Sequence, residues 1–494
     1  MGLIKLIINE CIKIFKKRSI IIFLALSILS LFLAYGIIYI DKNSKSKYIY
    51  IDNSIEIMQL EVDKLKNELK TSTEEKQIKL NFKIETYEYA IKNNIQIRSL
   101  NSGYKVTLII QLLAEEEVLS SIDENIMKDE YINQINKIDR IQKILDDDSF
   151  DDYIEYNKEK IEKDYKDKLI TQEDYDIKIG EQNLALQYEI DKYPMNSDAI
   201  SWKKELLYNN TQIDKTIKSN YDYNKKEYLT SNGIRKLQEQ KMINTYRLDN
   251  NIPFNNIINS EGNYNSYYRW SYNSFAIPLS MFFVSLLFIV LATSSISEET
   301  SKGTIKFLLI TPFKRYRILL AKLISYILIL IMITLILSQI NTLLGNIFFS
   351  NTSNDYLYVN NNKVEVMNTN LYETLQYLLK LPEILIYILL GITLSTLTRN
   401  TVVANTFTVM IYIGFPTGIY ITQQFVKLEF LKYLPFDNFD FKSKLLPFDN
   451  YTNTFVINNS YNNTTLKFSL IVLGITAFLL LVTMFESFNK KDII

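Results

Sequence analysis

The sequence predicts an all-α polytopic membrane protein with six transmembrane helices and a mostly helical extracytoplasmic domain. Six apolar runs reach or approach the roughly 20 residues that a helix needs to cross a bilayer core. Lys, Arg, Asp and Glu stay at the ends of these runs, as expected when a charge at mid-bilayer costs about 2.5–3.5 kcal/mol. A charged segment poor in Gly and Pro, residues 41–273, separates the first run from the second.

The composition excludes several classes of function. The chain has 494 residues, too long for one ordinary domain, and a net charge of +0 that does not favour nucleic acid. It has no His and one Cys, Cys11, which excludes disulfide frameworks, Cys/His zinc sites and the usual catalytic triads and dyads. No Gly-x-x-x-x-Gly-Lys-Ser/Thr loop occurs, so the sequence predicts no phosphate cradle of that type. We therefore expect a protein that is not an enzyme.

The first 18 residues predict a cytoplasmic helix lying at the membrane interface. Apolar residues recur at helical spacing, and Lys residues lie mostly elsewhere on the helical wheel. The apolar positions are Ile4, Ile7, Ile8, Cys11, Ile12 and Phe15. The alternative is a cytosolic extension of the first transmembrane helix.

The predicted spans follow from the apolar runs. The first run is too long for the apolar region of a signal peptide, and no small-x-small cleavage site follows it, so we expect a retained anchor. The predicted transmembrane segments are 19–40, 274–296, 318–343, 376–398, 401–422 and 467–487. Between them, we expect an outer loop at 344–375, an outer segment with candidate re-entrant helices at 423–466, and a tail at 488–494.

Lys and Arg residues near the span ends predict the orientation, because such residues accumulate on the cytoplasmic side. With six spans, four basic groups fall on one face, and a miscounted span would divide them. These groups are Lys13, Lys16, Lys17 and Arg18; Lys302, Lys306, Lys314, Arg315, Arg317 and Lys322; Arg399; and Lys490 and Lys491. We therefore expect cytoplasmic termini in a bacterial cell membrane and an extracytoplasmic domain at 41–273.

The extracytoplasmic domain is expected to contain four to six long helices packed as hairpins, with little sheet. Short coiled-coil seams, Ile55 to Leu69 and Ile135 to Leu145, favour internal packing over a partner-binding surface. Ser149 and Thr171 each precede an acid by three residues, which is typical of helix starts. Pro194 is expected to end a helix, and another is expected to start near Ser197–Asp198. The run of Asp at 146–152 fits helix starts better than a calcium site.

The segment between the second and third spans, 297–317, carries a pattern of residue types at fixed spacing. Residues 298–322 read EETSKGTIKFLLITPFKRYRILLAK: an acid pair, Gly-Thr, Leu-Leu, Pro and Arg, then an apolar run. The pattern predicts a short helix over Thr300–Leu309 that ends before a proline. A glycine would let a partner surface approach closely. A positive-inside loop without a partner is the alternative.

This pattern resembles the cytosolic coupling segment of ABC-2 type transporter permeases. The resemblance covers the N-terminal anchor and residues 274–488, whereas the large outer domain is an addition. Lys322 also matches a frequent Lys of the family, whereas Ala321 stands where many members have Gly. The residues that match the coupling pattern are Glu298, Glu299, Gly303, Thr304, Leu308, Pro312 and Arg315.

The resemblance implies that ATP is bound and hydrolysed on a separate ATPase subunit and that a second permease, identical or not, completes the transporter. This chain would then bind no cofactor and no metal itself, and its other partners would be membrane lipids.

Five further residues are candidates for a gate or for helix packing. Glu383 is the acid deepest in a predicted span, and it either acts inside the membrane or reaches the interface. Gly414 and Gly418, with Pro416 between them, allow close helix contact and a kink in span five. Pro435 lies in one of two Leu-Pro-Phe-Asp turns, which we expect at the membrane surface more than in a gate.

Two hypotheses of function follow. The first is an export permease that moves an amphipathic peptide or a lipid-like substrate. The second is a membrane-anchored receptor or secretion-accessory scaffold whose long outer domain binds an extracellular partner. A membrane-embedded enzyme has little support, because no paired acids stand out within a span.

Overall fold

A computed structural model gives the fold in two compact units. The membrane unit is Met1–Lys47, Asn265–Tyr358 and Glu365–Ile494, and the insert unit is Tyr48–Tyr264 with Val359–Val364. The structure describes residues 2–45, 54–72, 74–95, 103–119, 121–122, 127–190, 192, 202–222, 227–252, 264–304, 314–349, 355–425, 428–449, 454–455 and 464–490.

The chain begins with two helices, α1 (Gly2–Phe15) and α2 (Arg18–Lys45). The apolar face of α1 is divided between two surroundings. Ile14 is buried in the core of the membrane unit and Cys11 packs against that core. A second stripe remains exposed: Ile4, Ile8, Ile12 and Phe15. The helix therefore has one apolar face for the protein and another that is open to a membrane surface.

Eight helices follow in the described part of the insert unit, where the sequence predicts four to six. They are α3 (Ser54–Leu69), α4 (Glu74–Lys92), α5 (Gly103–Leu119), α6 (Lys128–Asp146), α7 (Phe150–Lys166), α8 (Gln172–Gln187), α9 (Trp202–Ser219) and α10 (Ser231–Asp249). The predicted number is wrong because several helices end at a left-handed residue other than glycine. These residues are Asn94, Asp148, Lys168, Glu189, Asn220 and Asn251.

Packing within the insert unit follows the predicted seams. Met58, Val62 and Leu65 of α3 are buried, and α3 packs on α4. Ile138 and Ile141 of α6 are buried in a core shared with α5. The interpretation of the seams as internal packing is confirmed. Two strands of two residues each, β1 (Tyr221–Asp222) and β2 (Glu227–Tyr228), form an antiparallel pair beside the helices.

Both predicted helix starts in the insert unit are confirmed. The Ser149 hydroxyl accepts a hydrogen bond from the backbone N–H of Asp152, and Thr171 does the same for Asp174, each at 3.2 Å. These bonds satisfy amide groups that have no partner within the helix. Asp148, in the acidic run, forms an ion pair with Lys105 at 2.7 Å. Pro194 and Ser197–Asp198 lie outside the described residues.

The remaining described residues of the membrane unit are mostly helical. Its helices are α11 (Tyr264–Ser301), α12 (Arg315–Phe349), α13 (Thr369–Leu378), α14 (Leu381–Thr398), α15 (Thr401–Phe425), the single-turn α16 (Lys442–Leu445) and α17 (Leu466–Lys490). A hairpin of β3 (Tyr356–Asn360) and β4 (Lys363–Met367) precedes α13, and β5 (Phe448–Asp449) pairs with β6 (Thr454–Phe455).

Six helical segments are long and apolar enough to cross a membrane, which confirms the predicted fold class. They are Arg18–Ile40, Arg269–Ser301, Arg315–Phe349, Thr369–Thr398, Thr401–Thr422 and Leu466–Asn489. Several extend beyond the predicted limits. The second begins before residue 274, and the predicted outer loop at 344–375 contains the end of α12, the β3–β4 hairpin and the start of α13. Apolar windows detect only the middle of a helix whose ends carry polar side chains.

The core of the membrane unit lies where α11, α12 and α14 meet. Phe288, Leu330 and Ile388 are buried there together with other apolar side chains. Gly391 of α14 lies against α11, since a Cβ built at this position would be 3.0 Å from the Cβ of Ala292. A larger residue would push the two helices apart. Helix α14 also packs on α15 and α17.

The outer segment predicted at 423–466 contains no long re-entrant helix within its described residues. Two 3₁₀ turns, Glu429–Tyr433 and Pro435–Asn438, are followed by α16. The Asn438 side chain donates to the carbonyl oxygens of Lys432 and Leu434, each at 2.8 Å. It also accepts from the hydroxyl of Ser469 in α17 at 2.7 Å. These bonds fix the first Leu-Pro-Phe-Asp turn against the start of the last span.

Candidate functional site

Three helices bring charged side chains together at one end of the membrane unit. Helix α1 contributes the only acid among residues 1–18, Glu10, and α11 ends with Glu298 and Glu299. Helix α12 contributes a lysine from its second turn. We call the following set the α1 charge cluster: Glu10, Lys13, Lys17, Glu298, Glu299, Lys302 and Lys322.

Lys322 is the centre of this cluster. Its ammonium group lies 2.8 Å from Glu10 Oε2 and 2.9 Å from Glu299 Oε1, and its side chain is only 3% exposed. One lysine of α12 thus joins α1 to α11. The hydroxyl of Ser325, one turn further along α12, donates to the carbonyl oxygen of Ile7 at 3.1 Å. A buried charge needs such partners, because removing it from water is costly.

The other lysines bind the cluster from its more exposed side. Lys17 Nζ lies 2.8 Å from Glu298 Oε2 and donates to the hydroxyl of Ser294 at 2.8 Å. Lys302 Nζ contacts the other oxygen of Glu298 at 2.7 Å. Lys13 Nζ lies 2.7 Å from Glu10 and 3.5 Å from Glu299. Every acid of the cluster therefore faces two lysines.

The pKa values on α1 reflect this arrangement. Burial acts to raise the pKa of Glu10, but the ammonium groups of Lys322 and Lys13 outweigh it and hold the pKa below its usual value. Burial likewise acts to lower the pKa of Lys13, and the carboxylates of Glu10 and Glu299 outweigh it, so the pKa of Lys13 is raised. Both groups are thus charged over the whole neutral range.

A cavity of about 500 Å³ opens beside the cluster. Its lining is mostly charged or hydroxylic, and the clustered side chains contribute much of it. The lining residues are Glu10, Lys13, Ile14, Lys17, Ser294, Ser295, Glu298, Glu299, Lys302, Thr304, Lys322 and Tyr326. Glu299 Oε2 is buried here without a hydrogen-bond partner. An arrangement of this kind can exchange ion-pair partners.

The structure brings together only part of the predicted coupling set. Glu298 and Glu299 belong to the cluster, and the Thr304 hydroxyl donates to the carbonyl oxygen of Glu299 at 3.3 Å. Arg315 instead begins α12, and its guanidinium donates to the carbonyl oxygen of Asn489 near the end of α17 at 3.3 Å. Leu308 and Pro312 lie outside the described residues.

Gly303 has a backbone role that the sequence does not reveal. Its φ is +70°, in the left-handed region, and it lies two residues after the end of α11. Glycine at this position ends a helix without strain. The predicted helix from Thr300 is therefore wrong at its start: α11 ends at Ser301 and residues 302–304 form a turn. A Cβ at Gly303 would meet open space.

We expect Gly303→Ala and Gly303→Asn to separate the two roles of this glycine. Alanine in the left-handed region costs about 1 kcal/mol, whereas asparagine tolerates it better. If the backbone alone matters, hydrogen exchange at the last turn of α11 should rise severalfold in the alanine variant and less in the asparagine variant. Gly180→Ala, in α8 and also facing open space, is the control. Equal exchange in both Gly303 variants would contradict the backbone role.

The five candidate gate and packing residues lie apart from the cluster. Glu383 is in the first turn of α14, and its Oε2 lies 3.3 Å from Lys380 Nζ. This contact favours the hypothesis that Glu383 reaches the membrane interface. Gly414 and Gly418 lie in α15 with Pro416 inside the helix, and a Cβ at either glycine would meet open space. Pro435 begins a 3₁₀ turn.

Sequence reasoning missed the roles of Glu10 and Lys322. Lys322 reads as one of many basic residues near a span end, and its burial follows only from the packing of α1 on α12. Glu10 carries a signal in retrospect: it is the only acid in an apolar and basic helix, which indicates a specific cationic partner.

The fold and the cluster define a six-span membrane protein with an inserted helical unit and an ion-paired junction between three helices. The chain belongs to the family described as "Protein of unknown function (DUF2705)", which matches residues 237–494. It is also similar to "Uncharacterized protein YhcI" from Bacillus subtilis (strain 168), with 28% identity over 296 residues, which are 59% of this chain and 84% of that protein. No solved structure matches the chain.

Proposed function

We propose that the chain is the permease subunit of an ATP-driven ABC-2 type exporter, in which the α1 charge cluster receives motion from a separate ATPase subunit. The substrate is an amphipathic peptide or a lipid-like molecule. One observation carries the proposal: the acid pair Glu298–Glu299, which matches the coupling pattern, is joined by ion pairs to both α1 and α12. A displacement at the end of α11 is then felt by three helices at once.

The proposed orientation supports this assignment. Basic residues flanking the six spans favour the side of the cluster as cytoplasmic. The exposed stripe of Ile4, Ile8, Ile12 and Phe15 on α1 is suited to the inner leaflet, with Lys5 near anionic headgroups. An ATPase subunit in the cytoplasm would reach the cluster and the turn after α11 from that side, and the insert unit would be extracytoplasmic.

The cluster is also suited mechanically to transmit a displacement. Ion pairs between rigid helices hold a distance, yet their partners can exchange when one helix shifts. Glu299 contacts Lys322 and Lys13, so a shift of α11 changes its contacts with both other helices. The cavity beside these groups gives them room to move.

The decisive experiment measures ATP hydrolysis by the co-purified ATPase subunit. We expect Glu299→Ala to reduce permease-stimulated hydrolysis at least fivefold, because it disconnects α11 from Lys322 and Lys13. Gly303→Trp should act similarly by obstructing the open turn where the partner would bind. The amount of ATPase in each purified complex is measured alongside, so that a loss of hydrolysis can be separated from a loss of the subunit.

Matched substitutions in the insert unit control for general effects. Glu162→Ala removes an acid that forms only an exposed pair with Lys166. Gly180→Trp places the same bulky residue at a glycine that also faces open space. Both should leave stimulated hydrolysis unchanged. If both single variants, Glu299→Ala and Gly303→Trp, stimulate hydrolysis as the wild type does, the coupling proposal is refuted.

A second permease copy or a related permease is the expected partner within the membrane. Helix α15 exposes apolar side chains such as Phe407, Met410 and Ile413, and neither Gly414 nor Gly418 has a neighbour within 4 Å of an added Cβ. Glycines on an exposed apolar face allow close approach of another helix. Lipids would cover the remainder of this face.

A receptor or secretion scaffold is the second candidate function, and the insert unit favours it. This unit has an apolar core of its own, with residues such as Tyr104, Leu108 and Ile141 buried. A domain of this size is more than a coupling protein needs. Deleting it would discriminate: a receptor would lose an extracellular partner in crosslinking, whereas a permease would keep its stimulated ATP hydrolysis.

A further inference from the structure

A second network of buried polar side chains lies at the other end of α11 and α12 from the α1 charge cluster. Its centre is the ion pair between Arg269 Nε and Glu373 Oε1 at 2.7 Å, with side chains 5% and 1% exposed. We call the set the Arg269 network: Arg269, Asn273, Asn341, Thr342, Asn346, Asn370 and Glu373. An ion pair so deeply buried in an apolar setting is a candidate for function.

The network joins a short helix to two long ones. The Arg269 guanidinium also donates to the side-chain oxygens of Asn346 in α12, at 2.7 Å, and Asn370 in α13, at 3.0 Å. Glu373 of α13 accepts further bonds from Asn273, at 2.8 Å, and Thr342, at 3.2 Å. Both charges are thus well supplied with partners, which a buried pair requires.

Glycine makes room for this arrangement. A Cβ built on Gly345 of α12 would lie 3.4–3.6 Å from the guanidinium atoms of Arg269. The arginine therefore lies directly on the backbone of α12. Asn370, Glu373 and Tyr377 recur at helical spacing and lie on one face of α13. The Tyr377 hydroxyl on this face lies 3.1 Å from the hydroxyl of Ser280 in α11.

Helix α13 is separated from α14 by a break that can act as a hinge. Helix α13 ends at Leu378 and α14 begins at Leu381. Pro382 lacks a backbone N–H, so it cannot donate to the carbonyl of Leu378 and the regular hydrogen-bond series is interrupted. At its other end, α13 follows the β3–β4 hairpin, and Tyr372 stacks on Tyr356 of β3 with ring centroids 4.2 Å apart. Helix and hairpin base therefore form one small body.

Helix α12 carries further buried polar side chains in the turns before the Arg269 network. Thr334, Ser338 and Asn341 are each 0% exposed, and Thr334 Oγ1 and Asn341 Oδ1 have no hydrogen-bond partner in the structure. Buried polar atoms without partners are costly in an apolar environment. Contact with water in a second conformation would relieve this cost.

We propose that α13 is a gate that opens and closes as one body on the hinge at Leu379–Lys380, and that the Arg269–Glu373 pair holds it closed. In the open state, water and polar solutes reach the face of α12 that carries Thr334, Ser338 and Asn341. The contacts of α13 with the long helices include the polar Arg269 network, which can break and re-form, and the buried ring of Tyr377, which leaves the core when α13 opens.

Hydrogen exchange on the full chain in lipid nanodiscs tests the gate. Glu373→Gln leaves the Arg269 charge without its counter-ion, and amide exchange in α13 should rise at least tenfold while exchange in α14 stays unchanged. Thr342→Val is the milder variant, since it removes one bond to Glu373, and should raise α13 exchange about threefold. Thr476→Val in α17 is the control, because this hydroxyl bonds to the carbonyl oxygen of Val472 within its own helix, and it should change nothing in α13.

A labelling experiment provides the second measurement. In a Cys11→Ser background, Ser338→Cys should react with a small water-soluble thiol reagent, and adding Thr342→Val should speed the reaction severalfold. The double variant Arg269→Met with Glu373→Leu, which replaces the pair by apolar side chains, should return α13 exchange to the wild-type level. A rise shared by α11, α12 and α14, or no rise in α13 with Glu373→Gln and Thr342→Val, would overturn the gate.

The two measurements need neither an ATPase subunit nor a cargo. A failure of the gate is therefore distinguishable from a failure of the coupling proposal.

Discussion

Replacing Lys322 with methionine is expected to release α1 from the membrane unit. Methionine keeps most of the length and the apolar stem of lysine, so the change removes the charge with little change in volume. Glu10 and Glu299 then share Lys13 as their remaining cationic partner, so the cost is lower than the roughly 3–5 kcal/mol of leaving a buried ion-pair partner fully uncompensated. The native Cys11 on α1 packs against the core, and its labelling rate by a maleimide should rise by one to two orders of magnitude.

A matched lysine on the same cluster distinguishes this effect from a general loss of charge. Lys302 contacts Glu298, but its side chain is 65% exposed, so Lys302→Met should cost well under 1 kcal/mol. Adding Glu10→Gln to Lys322→Met should recover part of the loss, since Glu299 then no longer shares Lys13 with a second carboxylate. Wild-type labelling of Cys11 in Lys322→Met would contradict the central role given to this lysine.

The second large effect expected is a pH dependence within the insert unit. Glu116 of α5 is 4% exposed, and its carboxyl accepts a hydrogen bond from the hydroxyl of Thr86 in α4 at 2.8 Å. Burial raises the pKa of Glu116 to about 7 from its usual 4.5; Glu85 adds to the rise, while Thr86 and Lys83 oppose it. From α6, Gln134 and Lys137 approach the neighbouring Glu115.

The sign of the effect follows from the raised pKa. The folded state holds the proton of Glu116 more tightly than the unfolded state does. The stabilising contribution of this proton to folding is therefore fully present below pH 4.5. That contribution is lost as the pH rises through 7, with a total change of about 3 kcal/mol. Glu116→Gln, which keeps the shape without the charge, should therefore be the more stable form at pH 8 and should lack this dependence.

Amide exchange of α5 in the full chain, corrected for the intrinsic effect of pH, measures this contribution. The wild type should lose protection relative to Glu116→Gln between pH 5 and pH 8. Glu117→Gln, at an exposed neighbouring position, should follow the wild type. A constant difference between wild type and Glu116→Gln over this pH range would show that the carboxyl does not titrate there.

Much of the membrane fold could be predicted from the sequence because a bilayer imposes a simple rule. A run without charges near 20 residues long has few alternatives to a spanning helix, and all six predicted segments lie within the six apolar helical segments. The segment 376–398 covers the end of α13 and the whole of α14. The number of helices in the insert unit was less accessible. Its turns use Asn, Asp, Lys and Glu in the left-handed region, so the usual signals of Gly and Pro are missing there.

The candidate site was accessible only in part. The acid pair at Glu298 and Glu299 stands out because of its place between two spans, yet nothing local indicates that Lys322 is buried between Glu299 and Glu10. The contact between Lys322 and Glu10 joins residues more than 300 positions apart. The pair of Arg269 and Glu373 was not predicted either. Each residue precedes an apolar run, so the sequence places Arg269 in the outer domain and Glu373 in a loop, although both helices begin earlier.

Labelling from the two sides of the membrane tests the central claim most directly, since coupling to a cytoplasmic ATPase requires the α1 charge cluster to face the cytoplasm. In a Cys11→Ser background, Lys302→Cys would be exposed to a membrane-impermeant maleimide, with Glu162→Cys in the insert unit as the reference. We predict that Lys302→Cys is protected in intact cells and labelled in inverted vesicles, with the opposite result for Glu162→Cys. Labelling of Lys302→Cys in intact cells would contradict the account.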